Sequence, residues 1–62
     1  MRKEEIPDYF LNKTINLIKA DGFILTGVIL KVNETNILFA TQQATSLISL
    51  DNIREIVLPR ER

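Results

Sequence analysis

The sequence predicts a mainly β domain, a short N-terminal helix followed by a five-stranded, strongly bent antiparallel sheet. Three observations lead there. From Lys13 onward β-branched and aliphatic residues alternate with polar ones, the period of a half-buried strand. Asp21-Gly22 stands between two such runs, a strong short-range hairpin signal. Polar turn segments then recur at short intervals to the C-terminal end, at residues 33 to 36, 42 to 45 and 50 to 52.

Residues 3 to 12 read as a short helix or 3₁₀ turn. Pro7 is tolerated only in a first turn, and Asp8 beside it suits the positive end of a helix dipole. Tyr9, Phe10 and Leu11 follow as an apolar cluster that needs a larger apolar surface to lie on. The first strand covers residues 13 to 19. The second starts at Phe23, runs to about Val32 and contains Gly27, where a sharp bend is expected. A third strand spans residues 37 to 41, a short fourth 46 to 49 and a fifth 54 to 58, closed by Pro59.

A hairpin with Asp21 and Gly22 as its only loop residues sets Ala20 opposite Phe23 and Ile18 opposite Leu25. Side-chain alternation then assigns Ile15, Leu17, Ile24, Thr26, Val28, Leu30 and Val32 to the core face. The other face carries Ile18, Phe23, Leu25 and Ile29 among Thr14, Asn16 and Lys31. The fourth strand, Ser46, Leu47, Ile48 and Ser49, has neither Lys nor Pro to block pairing, and the fifth offers Ile56, Val57 and Leu58. Such edges invite another chain.

The 62 residues form one domain, with charged tails at 1–6 and 59–62. A chain this short buries only about 60% of the surface it exposes when unfolded. With no Cys and no His, disulfides are excluded and a structural metal is not expected, so self-association is the remaining source of stability. No apolar run approaches the roughly 18 residues that span a bilayer, and Met1 to Asp8 does not resemble a signal peptide. The cytoplasm is the default expectation. Eight basic and eight acidic side chains cancel, which removes any global field toward phosphate backbones or anionic membranes. The charges are uneven, however, since residues 23 to 50 contain only Lys31 and Glu34. That charge-poor middle reads as core and contact surface. No catalytic constellation or phosphate-binding glycine loop is present. Neither enzymatic activity, nor a cofactor, nor a small-molecule substrate is expected.

The order of elements and several motifs resemble the Sm and Sm-like (LSm) proteins, small SH3-like barrels. Gly22 and Gly27, then Asn33, then Ile37 and Leu38 resemble the first Sm motif; residues 47 to 53 with Ile56 and Val57 occupy the place of the second. In detail the chain is most similar to the bacterial Hfq branch of RNA chaperones, through Phe10-Leu11-Asn12, the third-strand Asn36-Ile37-Leu38-Phe39 and the terminal Ile56-Val57-Leu58-Pro59. The resemblance implies a homo-oligomeric ring, a hexamer before a heptamer, that binds single-stranded RNA. It implies subunit contacts through Ser46, Leu47, Ile48, Ser49, Ile56, Val57 and Leu58. It also implies RNA contacts at a loop site of Asn33, Thr35, Asn36, Ser49 and Asp51, and at an outer stripe of Ile18, Phe23 and Leu25. The chain departs from that pattern at Asn33, where an Asp is usual, at Ser49-Leu50, where Arg-Gly is usual, and at Leu50-Asp51, where Hfq proteins carry Lys-His. A pocket that stacks a uracil needs a flat side chain and a cation, and these positions supply neither. The alternative is a structural or protein-interaction ring that has lost RNA binding. Asp21, Asp51 and Asn52 are also ordinary turn residues.

Overall fold

The computed structural model describes residues 1–59; Arg60 to Arg62, part of the expected charged tail, lie outside them. Its first hairpin joins β1 (Thr14–Lys19) to β2 (Ile24–Val32), and here the structure corrects the expected register. Leu17 faces Leu25, Ile15 faces Gly27 and Ile18 faces Ile24. The loop is the three residues Ala20, Asp21 and Gly22, closed by Lys19 N–H to the Phe23 carbonyl (2.8 Å) and Gly22 N–H to the Lys19 carbonyl (2.9 Å). A two-residue type I′ turn needs positive φ at both central residues. Only Gly22 has it, at 95°, while Asp21 does not, as expected for a three-residue loop ending in a left-handed glycine.

One added loop residue turns every side chain of the partner strand over. Leu25 and Ile29 therefore face inward with Ile15 and Leu17, whereas Ile24, expected in the core, is 62% exposed, and Thr26 and Leu30 are also exposed. Gly27 shows why this register wins. A Cβ there would collide with the Ala40 carbonyl oxygen, so the inward row must place its one residue without a side chain where the strand carrying Ala40 passes.

The irregularity in β2 lies beyond Gly27. Ile29 pairs with Phe39 and Lys31 with Leu38, so Leu30 is an extra, bulged residue. Bulges bend a strand and reverse its alternation, which returns Val32 to the inner side opposite Ile37. β3 (Asn36–Ala40) and β4 (Thr45–Ser49) complete a meander, and a 3₁₀ turn (Leu50–Asn52) leads into β5 (Ile53–Val57). These bounds agree with the expected strands to within a residue. β5 pairs with β1 and not with its sequence neighbour, giving the order β4-β3-β2-β1-β5. Among the described residues β4 and β5 do not pair with each other, so the expected five-stranded antiparallel sheet is formed but stays open, without closing into a barrel. Ile15, Leu17, Ile29, Ile37 and Phe39 are fully buried, joined by Ile6, Leu50 and Ile53.

Of the short helix or 3₁₀ turn expected over residues 3 to 12, the structure forms the second, as two 3₁₀ turns, Lys3–Glu5 and Asp8–Phe10. Pro7 is the cause: its ring disfavours helical geometry in the residue before it, and Ile6 is extended (φ −103°, ψ 105°). That extension drops Ile6 into the core and leaves the charged turn before it exposed. Tyr9 and Phe10 stack edge to face with centroids 5.0 Å apart. Asn12, at φ 62°, then aims its N–H at the Ile29 carbonyl (2.9 Å) and ties the segment to the sheet. Among the described residues no helix is long and apolar enough to cross a membrane.

Candidate nucleic-acid interface

The loop residues proposed from sequence come together at one end of β2, β3 and β4. Asn33 closes its turn twice, by N–H to the Asn36 carbonyl (2.8 Å) and by Nδ2 to Asn36 Oδ1 (2.8 Å). These bonds occupy one amide function of each residue, and Asn33 Oδ1 and Asn36 Nδ2 have no partner among the described residues. Asn36 lies opposite Ser49 in the ladder. The Leu50 N–H donates to the Thr35 carbonyl (2.9 Å), and Ser49 Oγ accepts from the Asp51 N–H (3.3 Å). Thr35, Ser49 and Asp51 are exposed, and Asn33 and Asn36 are half-buried.

A neighbour that sequence reasoning set aside completes this pole. The Met1 nitrogen donates to the Leu50 carbonyl (3.1 Å), and Lys3 Nζ lies 3.3 Å from Glu34 Oε2. Arg2, Lys3 and Glu4 thus share one concavity with Glu34, Thr35 and Asp51. Cations are present after all: the Met1 ammonium, Arg2 and Lys3 match the three carboxylates of Glu4, Glu34 and Asp51. These carboxylates do not converge as a metal site; among the described residues no three His, Cys, Asp or Glu do. Two acidic and two basic residues within Arg2 to Glu5 gave no signal of this placement, which depends on Ile6 entering the core.

The expected outer stripe is divided. Ile18 does lie on the outer face, beside Ile24 in the ladder. Phe23 stands at the hairpin mouth, 70% exposed, with its N–H held by Asp21 Oδ1 (3.1 Å). Leu25, by contrast, is half-buried against the core opposite Leu17, because the three-residue loop inverts its direction. Ile24 takes its place outside. Between Ile24 and Val28 the outer face carries Thr26, whose Oγ1 donates to Asn16 Oδ1 (2.8 Å).

The residues assigned to subunit contacts lie on the two sheet edges. Among the described residues β4 pairs only with β3, and β5 only with β1. Leu47 is 63% exposed, and Val57 and Leu58 are partly open, while Ile48 and Ile56 are half-buried against the core. Ser46 and Ser49 are exposed. Comparison with known proteins finds no matching family model, curated protein or solved structure.

Proposed function

We propose that the chain is the subunit of a homo-oligomeric Sm-like ring that binds single-stranded RNA. The observation that carries this reading is the strand order, which leaves β4 and β5 as open edges at opposite ends of one bent sheet. Each edge presents unpaired backbone groups and exposed aliphatic side chains, Leu47 on one and Val57 with Leu58 on the other. An edge of one subunit that pairs with the opposite edge of the next is a head-to-tail contact, and it closes into a ring when the rotation divides evenly. Repetition around the ring would set the Asn33–Asn36 turns and the Phe23 side chains in register for a strand of RNA.

Light scattering at low micromolar concentration tests the assembly. A hexamer or heptamer is expected, and a mass near the 7.1 kDa of one chain with a folded spectrum overturns it. Binding to labelled oligo-U and oligo-A at two salt concentrations tests the ligand, because contacts to phosphate weaken as salt rises. The second reading, a protein-interaction ring without RNA, is favoured by the zero net charge and by a loop pole whose three cations are matched by three carboxylates. An intact ring that binds neither oligonucleotide decides for it.

A further inference from the structure

Resting on the RNA reading above, we infer that Lys3 is the phosphate-contacting cation of the loop pole and that Glu34 is its built-in competitor, standing in for phosphate until RNA arrives. The loop residues themselves supply no cation, since Asn33, Thr35, Asn36 and Ser49 are neutral and Glu34 and Asp51 are acidic. Lys3 reaches the pole from elsewhere in the chain. It is held there by anchors on both sides: the Met1 nitrogen on the Leu50 carbonyl, with the Met1 side chain against the core, and the buried Ile6. The short turn between them is clamped, because the Arg2 N–H donates to Glu5 Oε1 at 2.7 Å and the Glu5 N–H to the Arg2 carbonyl at 3.0 Å. The backbone of Lys3 is therefore held beside Thr35 and Asp51, while its ammonium stays open to solvent.

In the free protein that ammonium sits 3.3 Å from Glu34 Oε2, with the two side chains 47% and 86% exposed. An exposed pair of this kind is weak and screened by salt, so a phosphate oxygen is able to displace the carboxylate. Glu34 also belongs to the turn that Asn33 and Asn36 close, so a phosphate drawn to Lys3 arrives beside their two amides. The same carboxylate repels that phosphate. Affinity at this pole is thus set by an exchange of one anion for another, and it is lower than the cation alone would give.

The experiment measures oligo-U binding from low to high salt for the wild-type protein, Glu34→Gln, Lys3→Gln and the double variant, with the thermal midpoint of each. Both side chains are exposed, so the midpoints are expected to stay together. Glu34→Gln is expected to bind tighter at low salt, by up to about fivefold, the ceiling for an exposed pair, and the gain is expected to fade as salt rises. Lys3→Gln is expected to bind more weakly and to flatten the dependence of log K on log salt by about 0.7, the loss of one single-strand phosphate contact. In the Lys3→Gln background most of the gain from Glu34→Gln is expected to vanish, because the two residues act as a coupled pair. Equal gains in both backgrounds, or an unchanged salt slope in Lys3→Gln, overturn the exchange. A wild-type protein that binds no RNA removes the reading beneath it instead, so the two failures are distinct.

Discussion

The sheet interior and the loop pole are held together by different forces. Inside, Ile15, Leu17, Ile29, Ile37 and Phe39 are fully buried, and close packing leaves Gly27 no room for a side chain. At the pole the contacts are hydrogen bonds and one ion pair among exposed or half-buried polar groups. Each net hydrogen bond of that kind is worth about 1 kcal/mol, and an exposed ion pair less. The interior therefore determines whether the chain folds, and the pole is free to serve another purpose without endangering it. Substitutions that separate stability from binding are the way to test this division.

The largest effect is expected at Gly27. In Gly27→Val the new Cβ would collide with the Ala40 carbonyl oxygen and crowd Phe39 Cζ, 3.0 Å away. Backbone cannot yield as a flexible side chain can, so a loss of about 3 kcal/mol or more is expected, enough to abolish a cooperative thermal transition in so small a domain. A variant that melts like the wild-type protein would mean that β2 and β3 do not approach as described. Ile48→Pro acts next, at the boundary between core and edge. It places a ring without an N–H in β4, opposite Ile37, and should unfold the chain or split its assembly. Sedimentation distinguishes these outcomes from an intact oligomer, which would free β4 from any part in self-association.

Beyond the interior, Phe23→Ala removes an aromatic ring that is 70% exposed and so should leave the thermal midpoint nearly unchanged. If the ring stacks on a base, affinity for purine-rich RNA falls by about 1–3 kcal/mol. Full affinity in this variant removes the outer surface from the binding reading and leaves the pole alone.

Much of the fold was legible in the sequence because strand alternation and turn residues are local signals. All five strands stand where the alternation of β-branched residues placed them. What escaped is what depends on one residue more or less. Asp21-Gly22 serves a two- or a three-residue loop equally well, since Gly22 takes positive φ in both, and both registers offered a row of aliphatic residues to the core. Only the approach of Ala40 to Gly27 separates them, and that is a contact between strands. The loop site was legible as a set of residues, Asn33, Thr35, Asn36, Ser49 and Asp51, without its electrostatics. Lys3 joins it through the extended Ile6 that Pro7 imposes, and a charged segment read only as charge gives no hint of where its backbone turns.

That one-residue ambiguity supplies the finest test, a pair of identical changes at adjacent positions. In the observed register Leu25 packs on the core opposite Leu17, and Ile24 is exposed beside Ile18. Leu25→Thr trades a half-buried side chain for a shorter, polar one that leaves a gap and brings a hydroxyl inward, at a cost of about 1–2 kcal/mol. Ile24→Thr keeps β-branching on an exposed strand position and should stay within about 0.5 kcal/mol of the wild-type protein. The two-residue loop predicts the reverse, since it would put Ile24 inside and Leu25 outside. Urea unfolding of both variants in parallel reads the sign directly, and comparing neighbours cancels much of the error from the denatured state. If Ile24→Thr proves the costlier, β2 is turned over, and Leu25 regains its place beside Ile18 and Phe23 on the outer face.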